Sequence, residues 1–249
     1  MKLGVQMYTV REYAKTLEDF EETLKKIADI GYKSVQVSGT CAYEGDWLAE
    51  KLKENGLTAD STHYNYNEIL HNTEEVIKKH KLFNCKYIGI GAMPDEGSNY
   101  EEFKEFVPNA AKTMKDNGAY LIYHNHAFDY KRIVDGKPML HDMAERFSPD
   151  ILGLTLDCYW ITAGGYDAVE EIHRFAGRIP CVHYKDMNED RKRFAVIGEG
   201  ILDMEKITEA YIECGAQFAF VEQDDCYGEN PFDCLKRSYK YLRSLGVKD

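Results

Sequence analysis

The chain has 249 residues, 44% of them hydrophobic and 30% charged, which excludes a disordered chain and allows a full core without disulfide or metal staples. Its 43 acidic residues outweigh 31 Lys and Arg, for a net charge of −12. That field repels phosphate backbones and anionic lipid, so neither nucleic acid nor a membrane is an expected partner. No apolar run approaches the ~20 residues of a bilayer span, and the opening MKLGVQMYTVRE has no signal-peptide apolar region, so a cytoplasmic location is expected.

Short apolar runs alternate with longer segments of helical period from end to end, with no linker between them. Eight strands are expected: Leu3–Tyr8, Ser34–Ser38, Thr58–His63, Tyr87–Gly91, Tyr120–His126, Gly153–Asp157, Pro180–Lys185 and Phe218–Glu222. A helix should follow each. The first carries Leu17, Phe20, Leu24 and Ile27 on one face, with Thr16 and Asp19 as a capping pair. Gly31, Gly56, Gly118, Gly177, Gly215 and Gly246 sit where helices end. Eight βα units in about 250 residues predict one (β/α)8 TIM barrel domain over 1–249. The competing doubly wound sheet calls for a Gly-rich first turn. Gln6-Met7-Tyr8-Thr9-Val10 has none. Cys41, Cys85, Cys158, Cys181, Cys214, Cys226 and Cys234 form no CxxC pair and read as reduced core thiols.

Alternate residues of a barrel strand point inward, and barrel enzymes build their sites at the carboxyl ends. The last inward residues are polar: Gln6 and Tyr8, Gln36, Ser61 and His63, His124 and His126, Asp157, His183 and Lys185, and Glu222. Deeper inward positions, such as Gly4, Ile122, Cys181 and Phe220, are small or apolar. Four consecutive strands thus each offer one metal ligand: His124, Asp157, His183 and Glu222. Two imidazoles with two carboxylates suit Mn²⁺, Co²⁺, Fe²⁺ or Zn²⁺ better than Mg²⁺ or Ca²⁺. Glu222 is the expected general base, with His124, His126 or Lys185 as its acid partner. Lys185 either stabilises an enolate oxygen or forms an ion pair across the mouth. Gln36, His63, His126, Trp160 and Asp186 are expected substrate contacts, Trp160 by stacking on a sugar. The run Glu189-Asp190-Arg191-Lys192-Arg193 reads as a solvated loop.

Taken together, TLKKIADIGYKSVQVSG, YHNHAFDY, LDCYWITAGG, RIPCVHYKDM, GEGILD and VEQDD resemble the sugar phosphate isomerase/epimerase branch of the xylose isomerase-like barrels, over essentially the whole chain. The resemblance implies a divalent metal on Asp157, His183 and Glu222. Its ketose epimerases carry Glu at the fourth ligand position, where this chain has His124, and many relatives carry Glu in place of Gln36. Those epimerases use two metal-bound glutamates on opposite faces of the substrate. The resemblance therefore implies a metal-dependent isomerase or epimerase of a sugar or keto-sugar, acting by proton abstraction beside a carbonyl. The alternatives are a lyase that dehydrates a keto-sugar or keto-inositol, and an inactive sugar-binding accessory subunit. The superfamily's abasic-site endonucleases need a basic surface that a net charge of −12 does not provide. The expected partner is a small carbohydrate, and homo-oligomerisation is left open.

Overall fold

In the computed structural model, which describes residues 1–248, the eight strands close into a parallel barrel. They are β1 Lys2–Gln6, β2 Ser34–Val37, β3 Thr58–Tyr64, β4 Tyr87–Ile90, β5 Tyr120–His124, β6 Gly153–Asp157, β7 Cys181–Tyr184 and β8 Phe218–Val221. Each pairs with its neighbours in sequence, and β1 closes the ring against β8. The main helices outside it are α1 Leu17–Ile30, α2 Gly45–Glu54, α3 Thr73–Leu82, α4 Tyr100–Asp116, α5 Met139–Arg146, α6 Ala168–Arg174, α7 Met204–Glu213 and α8 Pro231–Ser244. This is a single TIM barrel domain.

Outward residues Val5, Val35, Leu154, Leu156 and Val221 are buried between strands and helices. On α1 the expected face holds for Phe20, Leu24 and Ile27, all fully buried, whereas Leu17 lies on the exposed first turn. Each such burial contributes roughly 1.5–3 kcal/mol. Thr16 caps α1 by accepting the Asp19 N–H at 3.1 Å. The barrel axis is filled by Phe220, Ile122, Cys181 and Tyr87. Gly4 makes room for this, because a Cβ there would lie 2.7 Å from Ser34 O and 2.9 Å from the Phe220 ring. All seven cysteines are free, and Cys85, Cys158, Cys181 and Cys234 are buried as thiols.

Two local departures bear on the site. Strand β1 stops at Gln6 rather than Tyr8, because Met7–Tyr13 turns into a 3₁₀ helix, and the N-cap Gln6 accepts the Tyr8 N–H on its side-chain oxygen at 3.1 Å. Tyr8 is consequently at the rim and 39% exposed, not an inward strand residue. Between β2 and β3 the register slips: Val35 faces Ala59 but Gln36 faces Ser61. Asp60 is the extra residue of this bulge, held at the lower end by Lys2, Ser34 and Thr58.

Candidate active site

His124 ends β5, Asp157 ends β6, His183 lies in β7 opposite Asp157, and Glu222 follows β8 directly. All four are buried, and one ligand atom from each lies within 4.8 Å of the others. Strand parity and common depth bring them together from four adjacent strands.

The hydrogen bonds outside this cluster aim its lone pairs inward. His124 donates Nδ1–H to Gly91 O at 2.9 Å, which turns Nε2 toward Asp157 Oδ2, 3.4 Å away. His183 donates Nε2–H to Gln36 Oε1 at 2.6 Å, which turns Nδ1 toward Glu222 and Asp157. Asp157 spends Oδ1 on the Trp160 N–H, capping the short helix Cys158–Ala163, and keeps Oδ2 for the cluster. Asn125 braces it by accepting the Asp157 N–H at 2.8 Å. Orientation of ligands by outer partners is how metal-binding histidines are usually fixed. His183 Nδ1 and Glu222 Oε2 lie 2.9 Å apart, yet neither has an aligned hydrogen-bond partner. The unpartnered lone pair of His183 Nδ1, facing Glu222 Oε2 in a buried site with two further ligand atoms, fits a divalent cation. The cluster can hold one.

Charge balance supports the same reading. Lys185 Nζ lies 2.8 Å from Glu222 Oε2, 3.0 Å from Asp224 Oδ2 and 3.5 Å from Asp157 Oδ2. Burial works against its charge, but Glu222, Asp157 and Asp224 prevail and hold it cationic. Burial likewise disfavours the carboxylates of Asp157 and Glu222, and there Lys185 wins and keeps both ionised. His183 is raised despite burial by Glu222 and Asp157, whereas burial and His183 lower His124. A metal ion would take the place of the proton on His183 Nδ1.

Residues 24–245 match the family described as xylose isomerase-like TIM barrel. The chain belongs to this family. An inosose dehydratase of Geobacillus kaustophilus is 25% identical, over 90% of this chain and 87% of that protein. Among solved structures, a sugar phosphate isomerase/epimerase of Parabacteroides distasonis superposes with a TM-score of 0.81 at 21% identity, covering 99% of this chain and 95% of the other. A probable 3-DHS dehydratase of Bacillus anthracis reaches 0.76 at 16% identity, covering 98% and 99%. At these identities the structures establish the shared fold.

A cavity of about 370 Å³ opens over the quartet in this xylose isomerase-like barrel, lined by His63, His124, His126, Lys185 and Glu222 with Tyr8, Arg11 and Asp224. His126 separates it from an adjoining hollow of about 700 Å³ that also includes Phe128, Lys131, Arg132 and Trp160. The His126 ring stacks on Phe128 and lies 5.2 Å from the Trp160 ring. Burial, with His124 and Lys185 nearby, keeps His126 neutral, and its Nδ1 has no partner. Trp160 presents its ring to Lys185 Nζ at 5.0 Å.

Two expected substrate contacts take other places. Asp186 does not face the cavity: its oxygens accept the backbone N–H groups of Met187, Gly198, Gly200 and Leu202, so it ties down the loop after β7. Gln36 is fully buried and does not line the cavity; it accepts from His183 and donates to Ser61. The run Glu189–Arg193 is exposed as expected, with Arg193 paired to Asp190. Asp224 was not among the expected residues, although it shares the parity of Glu222 in VEQDD. Burial and the Glu222 charge push its carboxyl up to about 6.

Proposed function

We propose that this protein is a metal-dependent lyase that removes water from a polyhydroxylated ketone of the keto-inositol or keto-sugar class. The observation that carries the reading is the pairing of one carboxylate, Glu222, with the cationic Lys185 in a cavity where the fourth ligand is an imidazole, His124. A two-base epimerisation needs a second carboxylate on the opposite face of the substrate. An elimination needs one base and one acid. The inosose dehydratase of Geobacillus kaustophilus supports the same class by its likeness over most of both chains.

His124, Asp157, His183 and Glu222 would hold the metal, which when bound polarises a carbonyl and lowers the pKa of the neighbouring C–H. Glu222 removes that proton. Its electron pair forms the C=C bond as the β C–O bond breaks. Lys185 passes a proton to the departing oxygen, which leaves as water. The 2.8 Å contact then lets Glu222 return its proton to Lys185, so the pair resets without outside acid. Neutral His126 and the Trp160 ring bound the substrate on the side of the larger hollow.

The test is incubation of Mn²⁺- or Co²⁺-loaded protein with an inosose in D₂O, followed by mass spectrometry and proton NMR. Loss of water with one solvent deuteron exchange per turnover is expected. Exchange with an epimerised or isomerised product and no water loss would instead support the isomerase reading. Absence of both, across inososes and ketohexoses, overturns the enzyme assignment.

A further inference from the structure

Three imidazoles crowd the barrel mouth, and the hydrogen bonds beneath them treat one differently. The His63 ring lies 5.0 Å from that of His124 and 5.4 Å from that of His183. His124 and His183 turn a nitrogen lone pair toward the carboxylates. His63 is governed by Gln6, whose amide orientation follows from its own backbone position. Tyr8 N–H, in the first turn of the 3₁₀ helix, needs an acceptor, and of the two ends of the Gln6 amide only the oxygen accepts, so Gln6 Oε1 faces it. The amide nitrogen Nε2 must then point the other way. There it meets Gln36 Oε1 at 2.6 Å and His63 Nδ1 at 3.1 Å. An NH₂ group only donates, so His63 Nδ1 is the acceptor. In a neutral ring the proton then resides on Nε2.

His63 Nε2 is buried and has no hydrogen-bond partner, in a residue that lines the cavity with His124, Lys185 and Glu222. An unpaired buried N–H costs roughly 1–3 kcal/mol, so its persistence calls for an acceptor that arrives with a ligand. Gln36 carries the same constraint onward: its Oε1 accepts from both Gln6 and His183, and its Nε2 donates to Ser61 at 2.9 Å. One capping amide therefore sets the proton position on two histidines.

We propose that Gln6 is a positioning residue that locks His63 as the Nε2–H tautomer, which withholds this third imidazole from metal ligation and makes it the hydrogen-bond donor to a substrate oxygen. The identity of that oxygen, a carbonyl or hydroxyl of a polyhydroxylated ketone, rests on the function proposed above; the tautomer lock does not.

The experiment is long-range proton–nitrogen correlation of histidine side chains in the full-length, metal-free, ¹⁵N-labelled protein, with the His63 signals identified by their loss in His63→Gln. The expected spectrum shows a protonated Nε2 and an unprotonated Nδ1. In Gln6→Glu the new carboxylate accepts from the ring, so the proton moves to Nδ1. Should that variant fail to fold, Gln6→Met removes the donor without adding charge, and the two nitrogens should approach averaged shifts. A wild-type proton on Nδ1, or a pattern unchanged in the folded variants, overturns the lock. Titration with an inosose then tests the donor: the Nε2–H resonance should move downfield on saturation, and its failure to move overturns that role. In turnover, His63→Leu should lower kcat by about 10²-fold, with His63→Gln recovering about tenfold through its amide N–H. If the tautomer is as stated but no ketone is turned over, the function proposed above fails and the lock stands.

Discussion

Lys185 Nζ lies 2.8 Å from Glu222 Oε2, the same oxygen that faces His183 Nδ1 in the ligand cluster. The ammonium and a bound cation would therefore compete for one carboxylate. Lys185→Met should bind Mn²⁺ several-fold more tightly, measured by calorimetry, while turnover falls by about 10²–10⁴-fold. The metal-free variant should also melt earlier than the parent, since two buried carboxylates lose their counter-charge, and it should gain more from added metal. Weaker metal binding in this variant would show that Lys185 supports the site in another way.

On the proposed reading Glu222 would be both ligand and base and Asp157 a ligand only, and conservative amides separate these roles. Glu222→Gln keeps an oxygen for the metal and should retain most of the binding, yet lose proton exchange by about 10²–10⁴-fold. Asp157→Asn keeps the cap on Trp160 N–H, so helix Cys158–Ala163 should stay formed while metal affinity drops. Asp157→Ala removes both and should cost about 1 kcal/mol of stability besides. Metal analysis after dialysis, paired with thermal melts, distinguishes the three.

The resemblance puts His124 at the position where the ketose epimerases carry Glu, and the proposed one-base reading rests on that difference. His124→Glu should raise any epimerisation of a ketose relative to dehydration, read as the product ratio by NMR. It also deletes the Nδ1–H bond to Gly91 O, so some loss of metal affinity is expected alongside. An unchanged ratio in a metal-loaded variant would remove the argument from the missing carboxylate.

Stability should follow pH through two buried groups away from the ligands. Asp129 accepts from His126 N–H and Tyr123 O–H, but burial dominates and lifts its carboxyl to about 7. A carboxyl raised on folding contributes stability that is complete below its unfolded pKa near 4 and is lost as pH rises through about 7. His80, bonded to Thr62 and Val76 O, is lowered by burial to about 4. It has the opposite slope: its contribution is present above 6.5 and lost as pH falls toward 4. Denaturant midpoints of Asp129→Asn should flatten between pH 4 and 7 relative to the parent, and those of His80→Gln should flatten between pH 4 and 6.5.

Period-two patterning was enough to bring the quartet together, because each of its members has inward parity at or just beyond the carboxyl end of a regular strand. It failed where the chain leaves that regularity. Tyr8 reads as an inward residue only if β1 continues, and the capping of Tyr8 N–H by Gln6 ends the strand first. Asp186 has the composition of a substrate contact, but a carboxylate with four backbone donors in its own loop has nothing left for a ligand. Asp224 shares the parity of Glu222 two residues earlier, but it lies in the loop beyond β8, where strand alternation no longer fixes the direction of a side chain. The Gln6–His63 link needs both a capping geometry and a 57-residue separation, neither of which periodicity carries.

The bulge at Asp60 sets which residues of β3 face the axis. Because β3 holds one residue more than β2 at that point, Ser61 rather than Asp60 stands beside Gln36, and His63 follows on the same side. Deleting Asp60 would restore a regular pairing without turning His63 off the axis side, whereas a further deletion between Ser61 and His63 would have no extra residue to absorb it and would rotate His63 toward the helices. The bulge is thus one residue of slack in the length of β3. Its loss should spare the face that carries His63 and cost the contacts with Lys2, Ser34 and Thr58 at the lower end of the barrel.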